Sequence, residues 1–366
     1  VAMHKTAASP LALMYAVLVV YASLYPFAEW RDQDILPWSF LLAPFPRYWT
    51  RFDVAINVAG YLPLGSMLAL SALRTGRSRQ ALWLPVVLAG VLSFAMEALQ
   101  SYLPLRVPSR EDWLLNTLGA ALGAAATVLL ERMGAIDRWS RFRARWFVPH
   151  ARGGLVLLAT WPLALLFPAA VPFGLGQVFE RIEASIADRL ADTPFLDWMP
   201  VRDIELQPLV PGAEMVCVLL GLLIPCLLGY CVIRSTWRRL VFAPLCIGVG
   251  VLVTGLSAAL SWGPVHAWSW LDLPTQLGIA GAIVLALVAT LASWRVSAAL
   301  ALLALGVYLS LLNQAPESAY FAQTLQDWEQ GRFIRFHGLA QWLGWLWPYA
   351  ALLYVVVRVG QRNPKN

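Results

Sequence analysis

Apolar runs close to the roughly 20 residues needed to cross the hydrocarbon of a bilayer recur along the whole chain, and they leave few folds open. Ten can be delimited, at about 10–28, 54–73, 81–103, 112–132, 153–173, 212–233, 241–262, 274–293, 296–313 and 341–358. With 59% hydrophobic and only 13% charged residues, the chain falls among integral membrane proteins. The expected fold is all-α, a polytopic integral membrane protein of about ten transmembrane helices. The first run lacks an A-x-A-like site and leads into further runs, so it is expected to be a span rather than a cleaved signal peptide.

The net charge of +6 does not point to nucleic acid, because the basic residues sit in particular loops. Arg74, Arg77 and Arg79 follow the second run. Arg138, Arg141, Arg143, Arg145 and Arg152 follow the fourth, and Arg234, Arg238 and Arg239 follow the sixth. Arg295 follows the eighth, and Arg358, Arg362 and Lys365 lie at the end of the sequence. Every second loop is basic, which by the positive-inside rule puts both termini in the cytoplasm and fits a bacterial inner-membrane, multi-pass protein. Cys217, Cys226, Cys231 and Cys246 fall within apolar runs without C-x-x-C spacing, so they read as small buried residues. His4, His150, His266 and His337 are scattered and form no ligand cluster.

The chain divides at a basic cytoplasmic loop, 134–152. Residues 1–133 form a four-helix membrane domain that carries nearly all the polar residues at membrane depth. Within the long outer loop 174–211, Phe179, Ile182, Ile186 and Leu190 fall at spacings of three and four, with charges on the other face. They form either an amphipathic helix in the outer interface or a short helix packed on other loops. Trp262, Trp268, Trp270, Trp342, Trp345 and Trp347 lie near the ends of runs, as an aromatic belt would. Residues 294–366 add two more helices and an outer loop, 314–340.

Residues 153–293 carry a faint internal echo of the first four runs. Shifted by 160, Pro104 falls on Pro264, Arg106 on His266, Asp112 on Asp272 and Glu97 on Ser257. Shifted by 161, Asp53 falls on Glu214 and Gly60 on Gly221. The second half thus reads as a degenerate copy that lost the carboxylate of span three.

Two stretches of the first half share a polar pattern: Asp53-x3-Asn57-x2-Gly60-x2-Pro63-x-Gly65, and Asp112-x3-Asn116-x2-Gly119-x3-Gly123. Between them lie Glu97, Gln100 and Arg106. The alternating topology places Asp53 and Asp112 at the outer ends of spans two and four, with Asn57 and Asn116 about 6 Å deeper. Glu97 and Gln100 lie near the outer end of span three, and Arg106 in the loop that follows. Polar groups at such depth are costly and therefore candidates for function.

Arg106 suits a phosphate, which it can grip through paired hydrogen bonds. Glu97 suits a general acid or base, with Asp112 completing the candidate catalytic set. Asp53, Asn57, Gln100 and Asn116 are placed to orient substrate. No cofactor is called for, although two carboxylates could hold Mg²⁺ against a phosphate. Structural readings compete. Asp53 and Asp112 suit N-caps, Asn57 and Asn116 suit hydrogen bonding between helices, and Glu97 could pair with Arg106. Glu97 itself has no capping role by its position within a run. Gly60, Gly65, Gly119 and Gly123 fit close helix packing better than ligand binding.

Together these positions, with Ser23-Leu-Tyr-Pro26 at the end of span one, resemble the VanZ family of bacterial membrane proteins over about residues 10–133. The resemblance implies a cell-envelope protein. The family takes its name from low-level teicoplanin resistance, and relatives are associated with envelope glycan and exopolysaccharide systems. It supplies a context and a site but no reaction. The expected function is action on the phosphate-linked head group of a membrane lipid or polyprenyl carrier at the outer leaflet, by a hydrolase or transferase. The alternative is a non-catalytic carrier translocator, or a membrane partner of envelope-biosynthesis proteins. A translocator should carry polar groups to the cytoplasmic side at helix breaks, for which Pro63 and Pro225 are candidates.

Overall fold

The computed structural model describes residues 8–24, 27, 29–43, 51–149, 151–166, 169–191, 193–195, 209–315 and 334–360, without the side chains of 51–53, 180–181, 184 and 334–341. The described residues are helical, with no strand among them. They form α1 (Ala8–Leu24), α2 (Arg51–Arg74), α3 (Trp83–Gln100), α4 (Arg110–Arg132), α5 (Ala135–Trp146) and α6 (Arg152–Leu165). After these come α7 (Phe179–Leu190), α8 (Pro211–Val232), α9 (Thr236–Trp262), α10 (Leu273–Ala289), α11 (Trp294–Leu312) and α12 (Ile334–Gly360). Seven are long and apolar enough to cross a membrane: α2, α3, α4, α8, α9, α11 and α12. The other three expected runs form shorter apolar helices, α1, α6 and α10. Pro63 and Pro225 lie inside continuous helices, so neither marks a break.

Two compact units divide the chain, Val1–Arg141 and Phe142–Asn366. The division falls inside α5, where the basic segment is a helix rather than a loop. Ile136, Trp139, Phe142 and Trp146 recur on one side of α5 at spacings of three and four, with arginines around them.

In unit 1, α2 and α4 run parallel with their backbones in contact. A Cβ on Gly119 would strike the carbonyl of Val58, one on Gly123 that of Leu62, and one on Gly65 that of Ala120. Gly60 differs from the other three. An added Cβ there meets nothing within 4 Å, and its carbonyl accepts a hydrogen bond from the Tyr15 hydroxyl at 2.9 Å. Helix α3 runs antiparallel to α4, with Trp113 Nε1 donating to the Gly90 carbonyl. The segment after α1 folds over one end of the bundle. There Phe40 is buried and packs on Phe94, which in turn meets Trp113 edge-on.

Unit 2 is organised on α8, which is buried along most of its length. Helix α10 runs parallel to it, with Gly278 so close that a Cβ would lie 2.7 Å from the Met215 carbonyl. All four cysteines are free and buried here. Arg239, only 8% exposed, donates to the carbonyls of Tyr230, Ile233, Thr290 and Ala292. One guanidinium thereby satisfies C-terminal carbonyls of both α8 and α10, which would otherwise be orphaned in a low dielectric.

The expected run 153–173 ends at Leu165, because residues 171–178 are held in a non-helical path by distant side chains. The Tyr308 hydroxyl donates to the Phe173 carbonyl, and Phe173 adopts a left-handed φ of 61°. Asn313 Oδ1 accepts the N–H groups of Val178 and Phe179 and so caps α7 from another helix. On α7, Phe179, Ile182 and Ile186 remain exposed. Trp347 departs from the belt pattern. It is 4% exposed and donates to the Leu157 carbonyl, so it belongs to the core.

Two outcomes follow in detergent unfolding. Gly123→Ala should lose roughly 1–3 kcal/mol or more through forced helix separation, whereas Gly60→Ala should be neutral or slightly stabilising. Arg239→Met should lower the unfolding temperature sharply by stranding several carbonyls, each worth about 1–3 kcal/mol when left unsatisfied. Arg239→Lys should recover only part, since an ammonium lacks the planar fork.

Candidate functional site

The candidate residues of unit 1 converge at the bundle end where α1 and α3 finish and α2 and α4 begin. Each helix brings polar groups at one-turn spacing, hence on one face. They are Asn57 and Tyr61 on α2, Ser93, Glu97 and Gln100 on α3, and Asp112 and Asn116 on α4.

Glu97 is 3% exposed, and its Oε2 accepts the backbone N–H of Ser109 at 2.8 Å. Ser109 is the N-cap of α4. Its Oγ accepts the Asp112 N–H at 3.3 Å and donates to Glu111 Oε2 at 2.8 Å. Two corrections result. Asp112 is not the N-cap of α4 but stands in its first turn, and Glu97 does have a capping role. Its carboxylate serves the start of a neighbouring helix, where the macrodipole favours negative charge.

Asn57 Nδ2 donates to Asp112 Oδ1 at 2.7 Å, and Asn116 Nδ2 donates to Ser93 Oγ at 3.0 Å, with both amides buried. The two asparagines therefore play unlike parts: one joins α2 to α4 and the other joins α4 to α3. Gln100 Nε2 donates to the Ser23 carbonyl at 3.0 Å, which ties α3 to the last turn of α1. Arg106 is half-buried in the linker between α3 and α4. Asp53 lies in the first turn of α2, but its side chain is outside the described residues, as are Tyr25 and Pro26 of the Ser23–Pro26 motif.

Several contributors escaped sequence reasoning. Tyr61 is 5% exposed, and its hydroxyl faces Ser93 within electrostatic reach of Glu97 yet makes no aligned hydrogen bond. Arg110, at the first position of α4, donates from Nη1 to the Leu41 carbonyl at 3.2 Å. Spacing was the available signal, because Tyr61 follows Asn57 by one turn and Ser93 precedes Glu97 by one. Among the described residues no three His, Cys, Asp or Glu side chains gather as a metal site would require.

A buried carboxylate, a hydroxyl without an aligned partner and paired amides give this end of the bundle the means to orient a polar ligand and move a proton. The many-helix architecture and these buried polar groups define a multi-pass α-helical membrane protein. Residues 9–131 match the family model described as VanZ/LLP1, so this segment, which contains the whole constellation, is VanZ-like. No curated protein and no solved structure matches the chain.

The Asn57–Asp112 bond can be weighed by a double-mutant cycle. Combining Asn57→Ala with Asp112→Ala should show a coupling of about 0.6–2 kcal/mol, the range for hydrogen bonds between membrane helices. Additive losses in unfolding free energy would mean the contact contributes nothing.

Proposed function

We propose that unit 1 acts on phosphate-linked head groups of a membrane lipid or polyprenyl carrier, as a hydrolase or transferase at the outer leaflet of a bacterial inner membrane. Unit 1 is then part of a chain of about ten spans with cytoplasmic termini, the arrangement favoured by the alternation of basic loops. The observation that carries the reading is the buried Glu97 beside the Tyr61 hydroxyl, at the end of the bundle where the arginine-bearing linker enters α4.

Arg106 holds the phosphate, and Glu97 gives or takes the proton of the attacking or leaving oxygen. Asp112, oriented by Asn57, and Asn116, oriented by Ser93, position the head group. Gln100 works indirectly by bracing α1 against α3. Glu97 does two jobs here, since it also secures the Ser109 N–H and so holds the linker carrying Arg106 in register with α4. The translocator reading would be favoured by broken helices, but Pro63 and Pro225, the candidate break points, both lie in continuous ones. An envelope-biosynthesis or antibiotic-resistance setting, such as teicoplanin tolerance or exopolysaccharide production, suits action on such carriers.

Mass spectrometry of lipid co-purifying with the full chain tests this. Wild type should retain a phosphorylated lipid. Arg106→Ala should lose it about tenfold or more, as expected when a charged hydrogen bond is removed. Glu97→Gln, which keeps an acceptor for Ser109, should retain the lipid but abolish the envelope phenotype. If folded forms of both variants kept the same lipid and full phenotype, the proposal would be wrong.

A further inference from the structure

Where α5 and α8 end and α6 and α9 begin, unit 2 contains a cleft of about 620 Å³, within the range for small-molecule sites. Three arginines from three elements line it: Arg143 in the last turn of α5, Arg152 at the first position of α6, and Arg234 in the linker between α8 and α9. Phe147, Val148 and Leu155 add apolar surface beside them.

Backbone hydrogen bonds bring the three arginines together. The Phe147 N–H donates to the Arg143 carbonyl at 3.0 Å, and the Phe147 carbonyl in turn accepts Arg234 Nε at 2.7 Å. The Arg234 N–H donates to the Trp146 carbonyl at 3.1 Å and the Val148 N–H to the Val232 carbonyl at 2.9 Å, so residues 146–148 and 232–234 run side by side. Arg152 follows at once, since the Ala151 N–H donates to the Val148 carbonyl at 3.3 Å. Packing holds the start of α6 as well. A Cβ on Gly153 would lie 2.8 Å from the Tyr354 ring of α12, and one on Gly154 2.8 Å from the Val232 side chain. Arg238 latches α9 to the same corner, with Nη1 donating to the Arg145 carbonyl and the guanidinium over the Trp146 ring at 5.6 Å. The cleft is therefore preformed.

We propose that this cleft binds a phosphate group, presented by an anionic lipid of the adjoining leaflet or by a soluble phosphate ester. Three guanidinium groups around one cleft repel each other, and an anion between them removes that cost. Arg234 uses Nε on the Phe147 carbonyl, which orients its planar fork and leaves the terminal nitrogens for a ligand. Phosphate fits because its oxygens accept paired bonds from more than one arginine. The surroundings suit a lipid. Trp237, early in α9, and Val156, next to Leu155 on α6, are exposed as lipid-facing residues are. This end of unit 2 carries the basic segments that the positive-inside rule assigns to the cytoplasm, where basic pockets between membrane helices take anionic head groups. The inference is independent of the function proposed for unit 1, since it concerns other residues.

The test measures thermal unfolding of the full chain in phosphatidylcholine nanodiscs with increasing fractions of phosphatidylglycerol. The unfolding temperature should rise in a saturable way. Since unit 1 is itself proposed to take a phosphorylated lipid, the quantity read is the difference between wild type and variants of the cleft. Arg152→Gln and Arg234→Gln should each weaken the response about tenfold or more, as loss of a charged hydrogen bond does. Arg234→Gln gives up the bond to the Phe147 carbonyl, whereas Arg152 is exposed, so Arg152→Gln tests the site without disturbing its frame. Arg295→Gln removes an exposed charge from the same end but outside the cleft, and should keep the wild-type response. Titrating phosphatidylcholine discs with glycerol 3-phosphate separates the sources: a shift there shows that a soluble ester suffices, and a shift with phosphatidylglycerol alone identifies the lipid. An undiminished response in Arg152→Gln, an equal loss in Arg295→Gln, or no response of wild type to either phosphate would overturn the proposal.

Discussion

The backbone contact between α2 and α4 governs everything else in unit 1. Within lipid no hydrophobic force draws one apolar helix to another, so packing and hydrogen bonds must hold them. Gly119 and Gly123 let the two backbones meet, and at that separation side chains as short as asparagine and aspartate can bridge the gap. Asn57 therefore reaches Asp112. If the helices stood further apart by the width of a methyl group, the buried Asn57 amide would lose this bond at considerable cost. The contact also fixes where α4 starts, and hence where the Ser109 N–H meets Glu97.

Much of this was legible in the residues. Apolar run length located the helices, and the parallel course of α2 and α4 agrees with the alternation of basic and mixed loops. Polar spacing placed Glu97, Gln100, Asp112 and Asn116 at one end. The register between helices was not legible. The repeated Asp-x3-Asn pattern is offset by 59 residues, which invites the view that Asn57 and Asn116 are equivalent. In the structure Val58 meets Gly119 and Leu62 meets Gly123, an offset of 61, and the two asparagines bond to different helices. That register depends on which side chain fills which gap, a property of the pair that neither helix shows alone.

Other departures have the same origin in distant contacts. The sixth helix stops at Leu165 because residues from α11 and α12 claim the chain that follows, through Tyr308, Asn313 and Tyr349. Trp347 resembles its neighbours in sequence but is buried, because a carbonyl on α6 receives its N–H. Tyr61 and Ser93 drew no attention because single hydroxyls are common in membrane helices. They matter only once Glu97 and Asn116 are beside them.

The two units use a similar scaffold with different polar groups. In each, a parallel pair of helices is joined through glycine, and an antiparallel helix ends beside their starts. Under the shift of 160, Glu97 corresponds to Ser257, which bonds to the Leu166 carbonyl, as Gln100 bonds to that of Ser23. Negative charge in unit 2 sits on Glu214 and Asp272, the counterparts of Asp53 and Asp112, at the helix starts where the macrodipoles favour it. The linker before α10 carries His266 in place of Arg106. A carboxylate on the antiparallel helix with an arginine in the linker suits an anionic group. Unit 2 thus keeps a carboxylate at each of the two helix starts but has neither the carboxylate of the third helix nor the arginine of the linker.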